Sequence, residues 1–144
     1  MAVATVQFDT DFVPSTTGAD LTFAFDATPT DDNVVVFIAT SRDWSTLATL
    51  TLPAGFTQQA TVINASSDGL RALLCTKVAS SESNSYLFDV GAVSKLTVFG
   101  WELSGVDTSD IVRAVVTASG GASPASTAGV EGQSGDLVVG FVGV

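Results

Sequence analysis

The stretch that most constrains the fold is residues 95–107, Lys-Leu-Thr-Val-Phe-Gly-Trp-Glu-Leu-Ser-Gly-Val-Asp, the longest β-like run of the chain and its most aromatic. Successive side chains of an extended strand point to opposite faces. Leu96 and Val98 therefore share one face, and Phe99, Trp101 and Leu103 share the other. A strand that is apolar on both faces needs cover on both, so this one is read as central. Gly100, inside the run, marks a bulge or the close passage of another backbone. Ser104-Gly105 ahead of Asp107 supplies the turn.

Shorter segments of the same kind surround it. In residues 5–13, Val6, Phe8 and Phe12 alternate with Gln7, Asp9 and Asp11, the pattern of a half-buried strand whose apolar side faces the core. Leu21, Phe23 and Phe25 alternate with Thr22 and Ala24, and Tyr86, Phe88 and Val90 repeat the pattern. Residues 34–39, Val-Val-Val-Phe-Ile-Ala, are continuously apolar and read as covered on both faces. Residues 40–52 read as a loop with a short edge strand, 56–63 as a weak strand, and 70–78 as a strand with Leu73 and Cys75 on the side of Arg71 and Lys77. Further strands are expected over 111–118 and 137–144, with a Gly, Ala and Ser-rich excursion over 120–135.

No segment keeps an apolar period of 3.6 residues over three turns, so no substantial helix is expected. Eight to ten short strands separated by turn residues predict an all-β protein, a two-sheet antiparallel β-sandwich of jelly-roll or immunoglobulin-like type. The 144 residues fit a single domain, 1–144, with one core.

Charge narrows the function classes. Charged residues are 14% of the chain, against about 25% in typical globular proteins, and Ser, Thr and Gly take their place. The net charge is −10, with only five basic residues. Arg42, Arg71, Lys77, Lys95 and Arg113 form no cluster, which argues against nucleic acid and against anionic membranes. No apolar run approaches the length of a membrane-spanning helix. The first residues, Met-Ala-Val-Ala-Thr, lack the basic and apolar regions of a secretory signal, and folding in a cytoplasm is the expectation. Cys75, the only cysteine, lies in an apolar strand and reads as a buried structural thiol.

The chain has no histidine. That removes Ser-His-Asp and Cys-His constellations and His-ligated zinc. Glu102, on the face of Leu96 and Val98, is the one carboxylate whose surroundings would raise its pKa; otherwise it sits near the strand end, solvated or paired with Arg or Lys. Asp9 with Asp11, Asp31 with Asp32, and Asp107 with Asp110 could offer oxygens to Ca²⁺, but none has the spacing of a calcium loop, and turn-forming Asp is the better reading. Trp44, Phe56 and Trp101 could build an aromatic platform for a sugar. Trp101 reads as core, which leaves Trp44 as the exposed candidate.

Five pieces then occur in order: Asp32-Asn-Val-Val-Val-Phe, Leu52-Pro-Ala-Gly-Phe-Thr, residues 70–79 ending Thr-Lys-Val-Ala, residues 96–107 ending Leu-Ser-Gly-Val-Asp, and Ser134-Gly-Asp-Leu-Val-Val. This succession, spanning residues 32–140, resembles a β-sandwich module of tailed-bacteriophage structural proteins, found in head decoration or cement proteins and in tail or fibre components. Phe56 stands where Trp is commoner. The chain also stops at Val144 inside an apolar strand, read either as a strand locked into the sheet or as an incomplete chain.

The resemblance implies a non-enzymatic virion component with no metal or cofactor, first a capsid decoration protein bound to the major capsid protein of an assembled head, second a tail or fibre component. A surface poor in Lys and Glu also predicts an edge strand covered by a neighbour. A trimer of identical subunits is expected because shells offer threefold positions. Residues 2–13, the loop around Trp44, and 120–135 are the segments most available. A carbohydrate-binding module using Trp44 is the alternative from another class.

Overall fold

The computed structural model describes residues 2–13, 20–42, 50–64, 70–89, 95–113, 115 and 136–137. Seven strands form among them, and no helix: β1 (Ala4–Val13), β2 (Leu21–Ala24), β3 (Val34–Arg42), β4 (Thr57–Asn64), β5 (Leu70–Val78), β6 (Ser85–Phe88) and β7 (Lys95–Ser104). Five make one sheet in the order β1-β7-β3-β5-β4, and β2 and β6 make a second. Every pairing is antiparallel. The result is the expected all-β, two-sheet sandwich.

The middle of the large sheet is β3, whose residues Val34 to Ala39 are all buried, as its unbroken apolar run requires. The strand continues through Thr40 and Ser41, both buried, to Arg42. It therefore extends past Ala39 into what the residue pattern reads as loop: the polar side chains hide the strand, but pairing with β5 and β7 carries it on. The longest run in the sequence, β7, lies between β1 and β3. The predicted strand over 111–118 does not begin as one, since residues 111–113 are bend and loop. Half of that segment, and most of 137–144, lies outside the described residues.

The core fills the space between the sheets. Leu21, Phe23, Phe25, Tyr86 and Phe88 of the small sheet and its flank meet Val35, Phe37, Ala39, Leu73, Cys75, Leu96 and Val98 of the large one. Phe37 is the hub. Its ring centroid lies 5.0 Å from Phe23, 5.8 Å from Phe25, 5.1 Å from Phe56, 5.0 Å from Tyr86 and 5.2 Å from Phe88, within the range where edge-to-face and offset ring pairs attract.

Room for these rings comes from small neighbours. In register, Phe37 sits between Gly100 on β7 and Cys75 on β5. A Cβ on Gly100 would stand 2.5 Å from Cζ of Phe23 and 2.7 Å from Cε1 of Phe37. The glycine thus marks a close approach of aromatic rings rather than of another backbone. Burial pushes the Cys75 thiol up to about 12, a backbone hydrogen bond with Phe37 only partly opposing it, so Cys75 is the inert thiol its apolar strand suggests.

The outer face of the large sheet carries a smaller cluster. Val34, Val36 and Leu103 pack there with Val3, Leu74, Val78, Trp101, Val106 and Ile111. Phe99, Trp101 and Leu103 thus share a face, as alternation predicts, opposite that of Leu96 and Val98.

Candidate functional site

Two regions carry unusual chemistry: a buried junction around Glu102, and the edge strand β1 that the junction holds. Glu102 is only 1% exposed, on the inner face of β7. Oε1 accepts from the Thr30 amide at 2.9 Å and from Asn33 Nδ2 at 2.5 Å, while Oε2 accepts from Gln7 Nε2 at 2.5 Å. Burial is the largest single influence and raises the carboxyl's pKa, but the hydrogen bonds from Asn33, Thr30 and Gln7 together outweigh it and hold the group below its ordinary value. The expectation of a raised pKa is therefore overturned, as is that of a solvated or Arg- or Lys-paired side chain. Three neutral donors, all distant in sequence, keep Glu102 ionised. A carboxylate with its lone pairs committed in this way joins chain segments and is poorly placed to take or give a proton.

Gln7 extends the junction. Its side-chain amide donates to Ala27 O at 3.0 Å and accepts from Ala27 N at 3.3 Å while donating to Glu102. Both of its donor hydrogens and its acceptor are used. Asn33 belongs to the turn beside it, where Asp32 takes a positive φ of 68° and the pair Asp32 N to Ala79 O and Ala79 N to Asn33 O ties the turn to the end of β5.

Close by, residues 53–56 form a turn with Gly55 at φ 82° and Phe56 N donating to Pro53 O at 3.3 Å, a turn geometry that favours glycine at this place. Lys77 packs over this turn: Nζ lies 5.8 Å from the Phe56 ring centre and 2.6 Å from Glu82 Oε1. A Cβ on Gly55 would come within 3.0 Å of Lys77 Cε and Nζ. Asp32-Asn, Pro-Ala-Gly-Phe, Thr-Lys-Val-Ala and Glu102, which belong to four of the five pieces of the family resemblance, thus gather at one end of the sandwich. The fifth, 134–139, lies almost wholly outside the described residues.

The edge strand departs most from expectation. Val6, Phe8 and Phe12 are not the buried side of β1; they are 51%, 50% and 63% exposed, while Gln7, Asp9, Asp11 and Val13 are half-buried. The cause is a bulge. Thr5 pairs with Leu103 and Gln7 with Glu102, leaving Val6 extra. One added residue reverses the facing of every side chain after it. Phe8 thereby stands opposite Trp101 on the outer face, rings 5.1 Å apart, and Asp9 stands opposite Gly100 on the inner one. The Asp9 and Asp11 carboxylates accept from the amides of Thr10 and Phe12, at 2.7 Å each. No other strand described exposes more than one large apolar side chain; β4 and β6 expose Ile63 and Leu87.

The remaining candidates sort plainly. Asp31 accepts from Ser81 N at 2.6 Å, and Asp107 accepts from Ser109 N at 2.9 Å and Ser109 Oγ at 2.6 Å. These Asp carboxylates build turns, as their spacing suggests. Among the described residues no three His, Cys, Asp or Glu side chains gather as metal ligands would. Phe56 and Trp101 cannot share a sugar platform, because Phe56 packs into the inner core and Trp101 against the outer cluster. Trp44 lies outside the described residues. A surface depression of about 470 Å³ is bordered by Leu52, Pro53, Glu82, Tyr86, Leu87 and Asp89. The Tyr86 hydroxyl is buried with no hydrogen-bond partner among the described residues, and burial, then the charges of Glu82 and Glu102, raise its pKa.

No protein-family model matches the chain, and no curated protein or solved structure matches it either.

Proposed function

We propose that the chain is a non-enzymatic structural protein of a tailed-bacteriophage virion, a capsid decoration protein that docks on the assembled head. One observation carries the assembly part of this reading: β1, ten residues long and with no strand beside its outer edge among the described residues, turns Val6, Phe8 and Phe12 to solvent. Long apolar edges invite pairing and are normally short, charged or covered, so a protein that keeps one has a use for it. The virion part comes from the ordered pieces of sequence, four of which meet at one end of the sandwich. The committed lone pairs of Glu102 favour a scaffold over a catalyst. Self-association, as a trimer, is part of the proposal, and a tail or fibre position is its variant.

The test is a census of purified virions. The account expects the chain in stoichiometric amounts, added back by stripped heads but not by isolated tails. Its absence from particles, together with saturable oligosaccharide binding that a Trp44→Ala change removes, would leave a carbohydrate-binding module as the better reading.

A further inference from the structure

We infer that the outer edge of β1, which has no strand beside it among the described residues, accepts an extended segment of a different protein in which apolar and basic residues alternate. The inference rests on the reading of the chain as a component that docks onto other protein, and it specifies what the partner must bring.

The outer edge of β1 has no neighbouring strand among the described residues. A strand added there would place alternate side chains beside the two rows that β1 presents. On the outer face the row is Phe8, Thr10 and Phe12, two of them large, apolar and half or more exposed. On the inner face it is Asp9 and Asp11. Apolar side chains match the first row and Lys or Arg the second, so a period of two in the partner follows from the period of two in β1.

Charge decides against a second copy at this edge. Symmetric antiparallel pairing of β1 with itself around residues 9–11 would set Asp9 and Asp11 of one chain against the same residues of the other, and like charges facing across strands are unfavourable. The chain has only five basic residues against a net charge of −10. Lys77 is already paired with Glu82, and Arg113 with Asp110 and Asp136. The negative field of the whole chain also draws a basic partner toward it.

The Asp carboxylates set the condition for entry. Each now accepts from the next amide of its own strand, Thr10 or Phe12. That self-capping blunts the edge until a partner arrives. Basic side chains of the incoming strand draw the two carboxylates off, and its carbonyls take the released amides.

The experiment uses the full chain and a fluorescent ten-residue peptide of alternating valine and lysine. Two controls accompany it: a peptide with the same residues in separate blocks, and one of alternating valine and glutamate. Saturable anisotropy is expected for the alternating valine–lysine peptide alone. Asp9→Asn with Asp11→Asn should weaken it about threefold to tenfold, the scale of two exposed ion pairs. Two further peptides, N-methylated at odd or at even positions, leave the protein untouched; one should lose binding and the other keep it. Equal binding of the block peptide, indifference to the double Asn variant, or retention by both methylated peptides would overturn the inference. So would a dimer in sedimentation that the double Asn variant strengthens. Presence of the chain on virions without peptide binding would sink the edge inference and spare the virion reading, and the converse result would do the reverse.

Discussion

The two faces of the large sheet use aromatic residues in opposite ways. On the inner face Phe37 is closed in by five rings and is wholly buried, with Gly100 and Cys75 beside it to make room. On the outer face near the edge, Phe8 touches Trp101 on one side and stays 50% exposed. Residue type is the same, so type cannot decide the role. What differs is strand and facing: Phe37 lies on the middle strand facing the small sheet, whereas the bulge in β1 turns its polar side inward to the Glu102 junction and Phe8 outward.

The sharpest way to separate the faces is truncation. Phe37→Ala should cost about 3–5 kcal/mol, the scale of losing a fully buried ring, read as the loss of urea midpoint at unchanged slope. A cost under about 1 kcal/mol would mean that the ring cluster is not the core.

Gly100→Ala probes the same cluster from the other side. The added methyl would stand 2.5 Å and 2.7 Å from two wholly buried rings, Phe23 and Phe37. Destabilisation of about 1–3 kcal/mol is expected, typical of overpacking. A neutral or stabilising result would show that the close ring approach is not real.

The junction that joins the two faces is addressed by Glu102→Gln, which leaves the buried amides of Asn33, Thr30 and Gln7 competing for one oxygen. About 1–3 kcal/mol should be lost at neutral pH. The folded pKa of Glu102 lies below its ordinary value of 4.5, so its contribution is complete above that value and fades as the pH falls through the lowered one. Urea midpoints of the two proteins should therefore converge on acidification. A gap that widens below pH 4.5 would mean that the carboxyl is protonated in the folded protein.

The smallest effect belongs to the outer edge. Phe12→Ser removes an exposed ring and should change stability by no more than about 0.5 kcal/mol. A loss of several times that would place Phe12 in a packed environment and erase the contrast between the faces.

Much of the fold could be read from residues whose neighbours in sequence decide their fate. Alternation located β2 and β6, the unbroken Val-Val-Val-Phe-Ile-Ala run located the middle strand, and residues 70–78 coincide with β5 (Leu70–Val78). β1 was legible as a strand but not in its facing, because a bulge changes the register with β7 and leaves the periodicity of the chain itself intact. The end of β3 was hidden by Thr40 and Ser41, polar residues that are buried only because strands flank them. Glu102 stands out in sequence as a carboxylate within an apolar strand, yet its partners lie 95, 72 and 69 residues away. No local pattern announces donors at such separations. Gln7 and Asn33, the other side chains of the junction, read as ordinary strand and turn residues for the same reason.

The inverted facing of β1 is the claim on which the edge surface and the junction both depend, and thiol labelling tests it directly. Single variants Phe8→Cys, Phe12→Cys, Asp9→Cys and Asp11→Cys would each carry Cys75 as an internal standard, buried and with its thiol pKa pushed up to about 12. Under native conditions the cysteines at 8 and 12 should react with a maleimide nearly as fast as an unfolded thiol, those at 9 and 11 more slowly, and Cys75 only after denaturation. Fast labelling at 9 and 11 with protection at 8 and 12 would contradict the account, because it would put the apolar side of β1 in the core and leave Gln7 out of reach of Glu102.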